Sequence, residues 1–186
     1  MRLALFGIAV LGIWQVAAAQ AQDITQHLDR IGAGSYLVFD AGDKQFTQVF
    51  RGLSGQDYVV DLIDGSDPNG PRLSREYRDG QGQLLRVDYD MGLSLRFSPH
   101  NCQRTLGACV FVQTGPDGQT QMGRLVTATP DGLSYQLSVF PSPRSEPVLA
   151  ESGVVALDQM GSTAGGQITA QDGTVMQVRL VQAVYR

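Results

Sequence analysis

The chain has 186 residues, a length that suits one domain. Hydrophobic residues make up 42% and charged residues 17%, enough apolar material for a packed core, which argues against wholesale disorder. A net charge of −4, with Lys44 as the single lysine, excludes the basic footprint of a nucleic-acid binder or of a protein held on an anionic membrane surface.

The amino terminus reads as an export leader. Arg2 supplies the positive start, Leu3 to Trp14 is an apolar stretch too short to span a bilayer as a helix, and Ala19-Gln20-Ala21 fits the small-x-small cleavage rule. Residues 1–21 are therefore expected to be a cleavable signal peptide and 22–186 a single all-β domain, periplasmic or secreted. Ala17-Ala18-Ala19 offers a second cleavage site. Loss of Arg2 with the leader makes the mature chain one unit more acidic. No later apolar run approaches the roughly 18 residues of a membrane helix, so no span is expected after cleavage.

One short helix is predicted near the mature start. Ile24, His27, Leu28 and Ile31 recur at helical spacing, Asp23 can cap, and Gly32 and Gly34 end the run. His27 on that stripe reads as a packed residue, not a ligand. Beyond Gly34 the pattern changes to strands. Asp-Gly pairs at 64–65, 79–80, 117–118, 131–132 and 172–173 supply turn chemistry. Between them, strands are predicted near 35–40, 45–52, 57–63, 72–78, 83–89, 93–98, 108–114, 121–128, 132–140, 153–157, 166–171 and 174–185. Short strands with short connections imply an antiparallel meander, closed as a small barrel or folded as a sandwich.

Several runs alternate, which gives each strand one buried and one solvated face. Leu85, Val87 and Tyr89 share a side, as do Leu93, Leu95 and Phe97, and Leu133, Tyr135, Leu137 and Val139. The last strand changes phase near Leu180, where a bulge or a shift between sheets would account for it.

Hairpin register picks out three arginines. Asp90-Met91-Gly92 suits a three-residue turn pairing Tyr89 with Leu93 and Arg86 with Arg96, and a turn over Asp79–Gly82 is expected to set Arg75 opposite Arg86. Arg75, Arg86 and Arg96 would then line one face, with Tyr77 and Asp88 among them. Like charges opposed in a sheet are destabilising. Carboxylates such as Asp88 and Asp61, water, or an anionic ligand or partner would have to offset them. These arginines are the candidate anion or partner contact.

Cys102 and Cys109 are close enough in sequence to bridge in an oxidising compartment, and a disulfide is the favoured reading. His100, Cys102 and Cys109 together would make only three metal ligands, so no metal is expected. The oxygen-rich loop Asp64–Gly70, with Asp61, could suggest calcium but lacks the spacing of an EF-hand loop, and Asx and proline turns explain it as well. No Gly-x-Ser-x-Gly elbow, His-Glu-x-x-His or phosphate-binding glycine loop is present. No catalytic residue and no cofactor are implied.

Three functions follow from these readings. The first is a non-catalytic exported envelope module that binds a protein partner or stabilises an assembly. The second is a small-ligand carrier, since a closed meander of about eight strands can enclose one small molecule. A cavity lined by inward Tyr and Leu would favour the carrier and a filled interior the interaction module. The third is a small outer-membrane barrel, for which an aromatic content of 8% is low against the two girdles required.

Overall fold

The computed structural model describes residues 25–98, 102, 104–142 and 144–186. The leader read over 1–21 and His100 lie outside the described residues. Twelve strands follow one another: β1 (Tyr36–Ala41), β2 (Lys44–Ser54), β3 (Asp57–Asp64), β4 (Arg72–Arg78), β5 (Leu84–Tyr89), β6 (Ser94–Ser98), β7 (Gly107–Gly115), β8 (Gly118–Thr129), β9 (Gly132–Phe140), β10 (Val148–Leu157), β11 (Thr163–Ala170) and β12 (Val175–Val184). Each pairs antiparallel with the next, and β12 returns to β1, so the sheet closes into a barrel without edges. All twelve expected strands are present, and closure decides for a barrel over a sandwich.

The expected N-terminal helix is not formed. Only a 3-10 turn, Leu28–Arg30, stands there, because the flanking backbone bonds outward instead of along a helix. His27 N–H donates to the Met160 carbonyl, Gly32 N–H to that of Arg186, and Gly34 N–H to that of Phe50. The segment is thereby laced across one end of the barrel, where Leu28 and Ile31 are buried against Leu37, Phe39, Phe50 and Val60. Gln26 completes this plug: its amide donates to Ser162 Oγ at 3.2 Å. Gly82, in the left-handed region at φ 81°, lies so close beneath it that a Cβ there would stand 2.7 Å from Gln26 Cβ.

The phase change in β12 is a bulge. Val38 pairs with Gln182 but Phe39 with Leu180, leaving Val181 unmatched. Alternation holds on the inner face, where Leu37, Phe39, Phe50, Val60 and Val178 meet. A second inner cluster joins Val126, Leu133 and Tyr135, and a third joins Cys102, Phe111 and Met122. In β3 the outward Val59, Asp61 and Ile63 are buried too, against expectation for a solvated face. The connection 64–71 accounts for part of this: Thr47 Oγ1 donates to the Gly65 carbonyl, and a Cβ on Gly70 would stand 3.1 Å from Ile63 Cγ2.

Twelve strands enclose a wider interior than the eight or so that side chains alone can fill. Rings such as Phe39 and Phe46, stacked 5.1 Å apart, the plug 25–35 and the buried Cys102 occupy much of it. What remains is a cavity.

Candidate functional site

The cavity measures about 290 Å³ and is lined from both halves of the barrel, with Phe39 of β1 on one side and Leu133, Tyr135, Val155 and Leu157 of β9 and β10 on the other. Ile168 and Met176 line it toward the turn between β11 and β12. Met176 is 40% exposed, which marks where the cavity meets solvent.

Polar groups interrupt this apolar wall. Alternation along β8 sends Met122, Arg124 and Val126 inward, and along β9 it does the same for Leu133, Tyr135 and Leu137. The Arg124 guanidinium stacks over the Tyr135 ring at 4.3 Å. The Tyr135 hydroxyl donates to Glu151 Oε1 at 2.6 Å. A register shift between Leu149 and Glu151 sets that carboxylate on the inner face, opposite Leu137. Burial and the Glu151 carboxylate push the Tyr135 phenol well above its ordinary range. Burial pushes the Arg124 guanidinium down, and Tyr135 and Glu151 oppose that shift.

Arg78 and Arg104 reach the same space from the plugged end. Arg78 forks onto Glu76 Oε2, at 2.9 Å from Nε, and its Nη1 donates to Gln26 Oε1 and the Gly82 carbonyl. Arg104 is carried by the connection between β6 and β7. Its backbone N–H donates to Gln83 Oε1 at 3.2 Å, and its Nη1 to the Gly161 carbonyl at 2.9 Å. Burial, then the like charges of Arg78 and Arg124, push its pKa down, with Asp158 opposing. A guanidinium starts so high that Arg104 is still a cation at neutral pH.

The Cys102–Cys109 bridge holds that connection in place. The two residues form a disulfide with Cα atoms 5.9 Å apart, and Cys102 packs against Phe111 and Met122 inside the barrel. Cys102 sits at φ 63°, a conformation that side-chain-bearing residues seldom adopt.

Arg75, Arg86 and Arg96 lie on the opposite, outward face. Arg86 pairs with Arg96 as the hairpin predicts, but Arg75 pairs with Asp88 and Tyr77 with Arg86. The expected Arg75–Arg86 opposition fails in two steps: the turn closes Asp79 onto Gln83 over three residues, which sets Arg78 opposite Leu84, and the ladder shifts once more between Tyr77 and Arg78, where Arg78 turns into the plug. Arg75 then forks onto Asp61, 2.7 and 2.9 Å away, and Arg51 adds a third bond at 2.9 Å. Arg86 lies 3.7 Å over the Tyr77 ring and 3.2 Å from Asp88, while Arg96 is exposed. In the oxygen-rich loop, Asp67 Oδ1 accepts from Asn69 N–H as an Asx turn, and the Asp61 carboxylate is turned away onto its arginines. Among the described residues no group of three or more His, Cys, Asp or Glu is placed to hold a metal ion.

The luminal groups are the ones sequence reasoning did not single out. For Arg124 the signal is a charge on the apolar phase of a strand, between Met122 and Val126; Glu76 and Arg78 give none, since their phase of β4 is polar throughout and the apolar Leu73 and Tyr77 lie on the other. Fold and site together define a closed antiparallel β-barrel with a part-polar lumen. No protein-family model, no curated protein and no solved structure matches the chain.

Proposed function

We propose that this protein is a non-catalytic, exported carrier that holds one small molecule inside its barrel. The observation that carries this reading is the lumen: about 290 Å³ of space, walled by Leu133, Tyr135, Val155 and Leu157 and furnished with a few convergent polar groups. A structural or interaction module would have a filled interior.

The chemistry of the lumen suits binding better than turnover. The Tyr135 phenol is pushed away from proton exchange at neutral pH, and the guanidiniums stay charged. Such groups orient a ligand without exchanging protons with it. Export is supported by the leader pattern at residues 1–21 and by the disulfide, which persists in an oxidising compartment. The outward face argues against a lipid-facing barrel. Over β2–β5 it carries Arg51, Asp61, Arg75, Arg86 and Asp88 at mid-strand, with Val110, Leu125 and Val154 exposed on β7, β8 and β10, while the apolar residues Leu37, Phe39 and Phe50 point inward. A membrane barrel needs the reverse.

The test is calorimetric titration of the purified protein with octanol and octanoate, alongside native mass spectrometry for a co-purified small molecule. Saturable one-to-one binding is expected, and Ile168→Trp, which fills the cavity wall, is expected to abolish it. If neither amphiphile binds and no small molecule co-purifies, the carrier reading is wrong.

A further inference from the structure

Three guanidiniums line a cavity in which Glu151 is the only lining carboxylate among the described residues. The partners of each charge decide what the lumen lacks. Glu151 already accepts the Tyr135 hydroxyl, and Arg78 is forked onto Glu76. Asp158, which faces Arg104, is held by its own turn: Oδ1 accepts the backbone N–H groups of Met160 and Ser162, and Oδ2 accepts the Tyr185 hydroxyl. Arg124 stands differently. Its Nε is buried and has no acceptor among the described residues, although the guanidinium is stacked and aimed into the cavity. That Nε is itself closed to the cavity, but the guanidinium lines the wall with no carboxylate among the described residues forked onto it, so an anionic ligand can complement its remaining edge. Arg104 lines the same cavity and feels the like charges of Arg78 and Arg124, so a negative charge held there relieves it.

We infer, resting on the carrier reading, that the ligand is an amphiphile with a single anionic head, whose oxygens the guanidiniums of Arg124 and Arg104 bind. Its apolar body lies along Leu133, Val155 and Ile168. Guanidinium forks suit a carboxylate and a phosphate alike. At about 290 Å³ the cavity is at the small end of ligand sites and suits a short-chain amphiphile such as octanoate.

Matched eight-carbon probes test this: octanoate, octyl phosphate, octanol and octylammonium, each titrated calorimetrically. Octanoate or octyl phosphate is expected to bind at least about tenfold tighter than octanol, with octylammonium weakest, since a charge-assisted hydrogen bond in a desolvated site is worth that much. The ratio between the two anions reports which head the site prefers. Arg124→Gln is expected to bring the anions down to the level of octanol measured in the same variant. Arg124→Lys keeps the charge and part of the preference, and a thermal melt of each variant confirms folding. Octanol binding as tightly as octanoate, or an anion preference that survives Arg124→Gln, overturns the assignment and leaves the carrier reading standing. Failure of all four probes overturns the assignment, and failure of all four with no co-purified small molecule overturns the carrier reading as well.

Discussion

The Tyr135 ring lies directly on Gly153, its partner across the β9–β10 ladder; a Cβ at that glycine would stand 2.7 to 2.9 Å from three atoms of the ring and hydroxyl. The ring is also fixed from the sides by Arg124 and by Glu151. It cannot yield by a few tenths of an ångström without disturbing both. Gly153→Ala is therefore expected to cost about 1–3 kcal/mol by overpacking and to tilt Tyr135 into the cavity. Chemical denaturation measures the first effect, and weaker octanoate binding reports the second. An unchanged midpoint and unchanged affinity would show that the contact does not constrain the ring.

Removing the hydroxyl alone separates its role from that of the ring. Tyr135→Phe leaves Glu151 without its donor and is expected to cost about 1–2 kcal/mol, as for a hydrogen bond to a charged acceptor near the surface of a lumen. The pH dependence has a definite sign. The folded phenol titrates above the ordinary value of 10.0, so between the two values the unfolded chain binds fewer protons than the folded one and stability falls as pH rises. Tyr185, raised by burial and by Asp158, acts the same way. The variant should lose part of the stability decline above pH 10 and keep the rest. A decline identical to wild type would remove Tyr135 from the account.

Much of this barrel can be read from strand-length runs and turn residues, because alternation and Asp-Gly corners are local properties. The 89–93 hairpin is an instance: Tyr89 N–H meets the Leu93 carbonyl at 2.8 Å, as its three-residue turn demands. Closure is not local. That β12 joins β1 depends on the summed twist of all the strands, and residues 25–31 show the consequence. Their spacing suits a helix, but the open end of the barrel offers them more hydrogen-bond partners than a helix of that length could supply. The outward arginines were visible through hairpin pairing. The luminal ones were hidden, since Arg104 sits in a loop whose destination only the fold reveals and Arg124 appears on β8 as a single charge among apolar neighbours.

Asp61 is the anchor of the outward face. Burial alone would raise its pKa, but the Arg75 and Arg51 guanidiniums outweigh burial and hold the carboxyl below its ordinary 3.8. A carboxyl with a lowered folded pKa contributes stability that is complete above the unfolded value and is lost as pH falls through the folded one. Asp61→Asn leaves two arginines facing each other. Both are more than a third solvated or close to it, so the expected cost is about 2 kcal/mol, less than for a fully buried pair. The variant should also show a shallower loss of stability below pH 4 than wild type. Urea midpoints at pH 3 and pH 7 check both parts.

The disulfide is expected to matter twice. Closing so short a loop restricts the unfolded chain by about 2.5 kcal/mol, which for a chain of this length lowers the melting temperature by roughly 5–10 °C when the bridge is removed. The bridge also sets the connection that carries Arg104 into the lumen, two residues from Cys102. The double variant Cys102→Ser, Cys109→Ser is thus expected to melt earlier and, at a temperature where it is fully folded, to bind octanoate more weakly while binding octanol as before. Arg104→Gln in the oxidised protein supplies the comparison: it should reproduce the loss in affinity without the loss in melting temperature. If the double variant keeps its full octanoate affinity, contacts such as those with Gln83 and the Gly161 carbonyl suffice to position Arg104, and the bridge serves stability only.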